Sequence, residues 1–152
     1  GRTVQATLIR SSFDPDPYPE QGPHAFKLAL GTTESTGQAL LDEAAAWNRP
    51  IEAISGSIHS GSAPLNSSFL SAEGATVTGI KLAEDDDALI VRLSAVAPCE
   101  AILTLSRAAA SAEWVNLLEQ PLKGSPIPVI EGYAVKLSMI AGSTRTLKIR
   151  FR

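Results

Sequence analysis

Residues 68–93, SFLSAEGATVTGIKLAEDDDALIVRL, set two apolar, β-branched segments on either side of the acidic run Glu84-Asp85-Asp86-Asp87. Val, Ile and Thr favour extended backbone, and a cluster of acids suits the reversal between two strands. The segment therefore reads as strand, acidic turn and strand. The same two-residue period recurs near the end of the chain. Tyr133, Val135, Leu137 and Met139 share one face, as do Leu147, Ile149 and Phe151, with Gly142-Ser143 in the connecting turn. Val77–Ala83, Ala88–Leu93, Ala101–Leu105, Glu113–Leu118, Tyr133–Ile140 and Thr146–Phe151 form a series of short strands joined by turns. That spacing predicts a mainly β fold, an antiparallel β-sandwich with one short helix.

The earlier part of the chain is less regular. Thr3–Arg10 alternates as a strand would, with Val4, Ala6 and Leu8 on one side. Ser11–Pro23 contains four prolines and reads as an irregular surface loop, because proline fixes φ and removes a donor. Ala25–Leu30 resumes as a strand. Thr36–Trp47 predicts the helix, with Thr36 as its cap and Leu40, Leu41, Ala44 and Trp47 on one face, expected to pack against a sheet. Asn48-Arg49-Pro50 stops it. Ser55–Ser68 is rich in Gly and Ser and reads as a linker. The expected organisation is residues 1–54 with the helix, a linker at 55–67, and a small β-sandwich at 68–152.

Composition narrows the function classes. With 152 residues and a net charge of −3, the chain can build a core but has no basic patch to neutralise phosphates. Nucleic acid is not an expected partner. No apolar run approaches the roughly 18 residues that span a bilayer, so no membrane partner is expected either. One cysteine, Cys99, precludes an internal disulfide and reads as a small buried thiol of a reducing compartment. Asn66-Ser67-Ser68 matches a glycosylation acceptor, a short pattern of little specificity. The chain begins Gly1-Arg2-Thr3 without an initiator methionine, which suggests a piece of something longer.

Few residues suggest chemistry. The four acids of residues 84–87 could hold a hard cation or act in pairs, but consecutive acids at a hairpin tip point in different directions, so a solvated turn is expected. His24 and His59 are the only histidines, are far apart, and lack a metal-binding spacing. His24 could bond to a loop carboxylate, and His59 reads as exposed. Residues 56–62 lack the Gly-Lys-Ser/Thr ending of a phosphate loop. Lys148, Arg150 and Arg152 read as the solvent side of the last strand. Trp47 and Trp114 could stack on sugars, although a core role is expected of both.

Four passages in order carry a family resemblance: Leu8–Ser11 with Pro15-Asp16-Pro17 and Gly22–Phe26; Gln38–Pro50, with Ala44–Trp47 leading into Asn48-Arg49-Pro50; the 68–93 hairpin; and Asn116–Glu119 with Thr146–Ile149. Together they resemble the C-terminal region of family 38 glycoside hydrolases, the α-mannosidases. Ser94-Ala95, Asn116 and Gln120 depart from the usual Tyr-Glu, Asp and Arg. The resemblance implies an enzyme that hydrolyses α-mannosides using an aspartate nucleophile and zinc in a separate N-terminal domain. None of those residues maps onto this chain, so no catalytic residue, cofactor or metal ligand is expected within it, and the fragment alone is not expected to be an enzyme. The implied partner is the catalytic domain of the same chain, and through it the α-mannoside. An oligomer contact is a further role open to the fragment, and the implied location is cytoplasmic. Loop residues Asp14 and Asp16, with His24, Trp47 and Trp114, are the candidates for cleft-rim or sugar contacts. The competing expectation is a stand-alone carbohydrate-binding or protein-interaction module.

Overall fold

The computed structural model describes residues 3–10, 14, 21–57, 59–62 and 64–152. The chain divides into two compact units, Gly1–Thr33 and Glu34–Arg152.

Within the first unit the described residues form neither helix nor strand. The strands expected at Thr3–Arg10 and Ala25–Leu30 are therefore not formed. Alternation supplies a side-chain pattern, but a strand exists only when its backbone groups pair with a neighbour. Neither stretch has such a ladder, and Val4, Leu8, Leu28 and Leu30 are all exposed.

The second unit is built on eight strands in two antiparallel four-stranded sheets. The strands are β1 (Leu70–Glu73), β2 (Thr76–Leu82), β3 (Leu89–Ala95), β4 (Cys99–Leu105), β5 (Ala109–Val115), β6 (Val129–Glu131), β7 (Ala134–Met139) and β8 (Ser143–Phe151). One sheet has the order β1-β4-β7-β6 and the other β2-β3-β8-β5. This is the mainly β, two-layer architecture that the alternating strands predict. Leu89, Val91 and Leu93 of β3 and Leu147 and Ile149 of β8 meet Leu103 of β4 and Val135 and Leu137 of β7 in one apolar core. Each inward position is followed by an outward one, as a period of two requires.

Two strands, β1 and β6, escape the sequence reading because three or four residues are too few to display a period. The fifth strand lies earlier than expected. Residues Ala109–Val115 form it, and the chain turns at Asn116, so Leu117 and Leu118 continue the apolar run but not the strand. Tyr133 is exposed and precedes β7, beside Gly132 at φ 64, and does not join the inward row of Val135, Leu137 and Met139. The turn from β1 to β2 links the two sheets at Gly74, where φ is 80 and an added Cβ would lie 3.2 Å from the Glu100 carbonyl oxygen. The Cys99 thiol, half-buried, donates to the Gly74 carbonyl at 3.1 Å.

Helix α1 spans Gln38–Asn48. Its N-cap is Gly37 and no side chain caps it, so Thr36 does not serve that role. The expected packing of its apolar stripe is also overturned. Leu40, Leu41 and Trp47 are exposed, and no residue of α1 is buried. Polar groups attach it instead. Thr76 Oγ1 donates to Asp42 at 2.6 Å and accepts from Gln38, Gln38 Oε1 accepts from Val96 N–H at 3.4 Å, and Arg49 donates to the Val77 carbonyl at 3.0 Å. Gln38 and Asp42 are held to the Thr76 hydroxyl, and Arg49, just past the helix, takes a backbone carbonyl of the edge strand β2. Among the described residues, no helix is long and apolar enough to cross a membrane.

Leu103 is completely buried between the sheets. Leu103→Ala is expected to lower the unfolding free energy by about 3 kcal/mol, measured by urea denaturation. A loss below about 1 kcal/mol would show that this layer is not the cooperative core.

Candidate functional site

The outer face of the β2-β3-β8-β5 sheet is not simply solvated. Asn116 closes a tight loop at the end of β5: its Oδ1 accepts from the N–H groups of Leu118 at 2.9 Å and Gln120 at 3.0 Å, and its own N–H donates to the Gln120 carbonyl at 2.9 Å. Short polar side chains favour such local turns over a continued strand. Glu119 stands in this loop at φ 61, a left-handed conformation uncommon for a residue with a side chain.

The Glu119 side chain keeps only 9% of its surface exposed. Its Oε2 accepts from Glu84 N–H at 2.9 Å, while Oε1 lies 2.9 Å from Lys81 Nζ, an ion-pair approach without full hydrogen-bond alignment. Lys81 also pairs with Glu84. Because β5 and β2 are opposite edges of the sheet, the 116–120 loop must arch over β8 and β3 to make these contacts. Beneath it, the outward residues Ile90, Val115, Thr146 and Lys148 are buried. Lys81 is held above the ordinary lysine range, first by Glu84 and then by Glu119. Glu119 is lowered, first by Lys81 and then by the Glu84 N–H.

Between the arch and β2–β3 lies a cleft of about 220 Å³, lined by Gly79, Ile80, Ile90, Arg92, Thr146, Asn116 and Leu117 together with the Lys81–Glu119 pair. The arch displays Leu117 and Leu118, which are 76% and 77% exposed.

The acidic turn and the basic residues of β8 meet beside this cleft. Lys148 was expected on the solvent side, yet its side chain is only 9% exposed and its Nζ lies 3.0 Å from Asp86. Asp86 also takes Arg150 at 2.9 Å and the Ala88 N–H at 3.0 Å. Lys148 first, then the Ala88 N–H, lower the Asp86 carboxyl to about 2. Arg150 is raised, first by Glu113 and then by Asp86. The turn is thus not wholly solvated, since Asp86 is drawn onto a buried lysine that needs a counter-charge.

The residues expected at a sugar or cleft rim belong to different units and differ in exposure. Asp14 is exposed, and His24 stacks on Phe26 with ring centres 6.2 Å apart; both belong to the Gly1–Thr33 unit. Asp16 lies outside the described residues. Trp114 is 3% exposed and sits in the core, where Arg145 lies 4.1 Å above its ring and donates to Ser125 at 2.9 Å. Its faces are not available for stacking on a ligand. Trp47, expected in the core, is instead 58% exposed on α1. His59 is exposed and contacts the Ser60 carbonyl at 3.0 Å. Among the described residues, no group of three or more His, Cys, Asp or Glu is placed to hold a metal ion.

The cleft was missed because its walls are far apart in sequence. The available signal was Asn116 with Gln120 around an apolar pair, a turn interrupting an apparent strand. No protein family, curated protein or solved structure matches the chain.

The charge cluster predicts a pH dependence. Asp86 has a depressed pKa, so its stabilisation is complete above its ordinary value of 3.8 and disappears as pH falls through about 2. Asp86→Asn should lower the urea midpoint most at neutral pH, and the gap from the parent should close below about pH 2. A gap unchanged from pH 6 to pH 2 would show that the carboxylate charge contributes nothing.

Proposed function

We propose that this chain is a non-catalytic C-terminal β-sandwich region of an α-mannosidase-like glycoside hydrolase, buttressing a zinc-dependent catalytic domain that supplies the bond-breaking groups. The observation that carries the reading is that the four resembling passages are spread over a chain whose second unit is a two-sheet sandwich. The 68–93 hairpin is its β1-β2-β3 run, and 146–149 lies within the central strand β8. Exposed apolar residues within each unit, Leu28 and Leu30 in the first and Ile51 and Ile54 in the second, also fit coverage by a further domain of the same polypeptide. In this role the chain works by rigidity: its core fixes the loops that meet the catalytic domain, and the chemistry lies elsewhere. The proposed location is cytoplasmic, in keeping with the single half-buried cysteine.

Sequencing of the gene upstream tests the reading directly. The expected result is an open frame encoding a domain with His and Asp zinc ligands, while the isolated 152 residues leave an aryl α-mannoside uncleaved. An upstream stop codon, an unrelated neighbouring domain, or metal-dependent cleavage by the isolated chain would overturn it.

A carbohydrate-binding module is favoured by one observation, the exposed indole of Trp47. On that reading, methyl α-mannoside titrated calorimetrically into the chain shows saturable binding that Trp47→Ala weakens by at least about tenfold. Absence of heat at millimolar sugar would remove it.

A further inference from the structure

The cleft under the 116–120 arch has a chemical character that the buttressing role does not use. Its floor is Ile90 and Thr146, both buried, and Leu117 forms one wall. About 220 Å³ corresponds to about seven water volumes, enough for a branched four- or five-carbon group with one small polar head.

The charges around the cleft are unequally satisfied. Lys81 is taken by Glu84 and Glu119, Lys148 by Asp86, and Arg150 by Asp86 and Glu113. Arg92, which lines the cleft, is exposed and its guanidinium has no ion pair or hydrogen bond among the described residues. Lys81 is shared by Glu119 and Glu84, so that group keeps one net negative charge and an incoming anion is left to Arg92 alone. Of the two cations in the lining, Arg92 is therefore open and Lys81 committed.

We infer that this cleft binds a carboxylate carried on a leucine-sized apolar group, with the alkyl part over Ile90 and Thr146 against Leu117 and the carboxylate on Arg92. A planar guanidinium matches a carboxylate with two parallel N–H donors, and a single arginine beside apolar walls suits one negative charge better than a phosphate dianion. The fixed arch favours binding, because Asn116 and Glu119 hold Leu117 in place before a ligand arrives. Such a group is either a free branched-chain acid or the C-terminal leucine of a peptide.

The 152-residue chain, ¹⁵N-labelled, is titrated with 4-methylpentanoate, with neutral 4-methylpentanamide, and with acetyl-Gly-Leu ending in a free carboxylate. The acids should shift the Ile90, Asn116 and Thr146 amide signals saturably, and the amide should bind about tenfold more weakly. Arg92→Gln, at an exposed position, should bring the acid down to the affinity of the amide. Leu117→Ala should weaken acid and amide alike, by roughly threefold. Tighter binding of acetyl-Gly-Leu than of 4-methylpentanoate assigns the site to peptide termini; equal binding assigns it to the free acid. Equal affinity for acid and amide, an unchanged affinity in Arg92→Gln, or no saturable shift at these three residues would overturn the inference. This result is independent of whether a mannosidase domain lies upstream.

Discussion

Strand β8 is the member on which both layers of the second unit depend. It pairs with β3 along one edge and with β5 along the other, from Leu89↔Ile149 to Ala95↔Ser143 and from Ala109↔Phe151 to Val115↔Thr146. Its inward residues Leu147 and Ile149 complete the core against the β4–β7 sheet. Its outward residues Thr146 and Lys148 are equally withdrawn from water. A half-buried antiparallel strand would leave that second face wet. Here the face is roofed by the loop after β5, and the roof is held by charge. Burial of the Lys148 stem accordingly requires Asp86, and the loop requires Lys81. The acidic hairpin and the arch are two solutions to the same problem, the covering of a central strand on its second side.

Much of this fold was legible in the residues. The rows Val135-Leu137-Met139 and Leu147-Ile149-Phe151 carry the period of a strand without interruption, and β3 and β8 fall where that period puts them. Legibility failed where local pattern and long-range pairing disagree. Ala109–Ser111 has little intrinsic preference for a strand and becomes one because β8 offers its backbone a ladder. Thr3–Arg10 has the pattern and lacks the ladder. Leu117 and Leu118 look like core and are surface, because Asn116 diverts the chain first. Lys148 looks like surface and is enclosed, because a strand's outer face is wet only if nothing crosses it. The cleft was illegible for the same reason, since Arg92 and Leu117 meet only through an arch.

The two proposed roles use different surfaces. Buttressing draws on the stiffness of the core and on the apolar residues outside it, whereas the cleft draws on one arginine left out of an otherwise paired set of charges. Trp114 illustrates why residue type alone misleads. Its indole, a natural platform for a sugar, is enclosed and spends its face on Arg145, while Trp47 on α1 stays accessible.

Strand β2 is an edge of its sheet, and an edge strand's free N–H and C=O groups can recruit a strand from another molecule. Three features guard it. The register shifts between Val77 and Gly79, Arg49 occupies the Val77 carbonyl, and Lys81 puts a charge near the end of the strand. The helix that buries nothing is fastened to this edge strand through Asp42 and Gln38 on the Thr76 hydroxyl. A strand adding to β2 at Val77 would first have to displace Arg49 from that carbonyl.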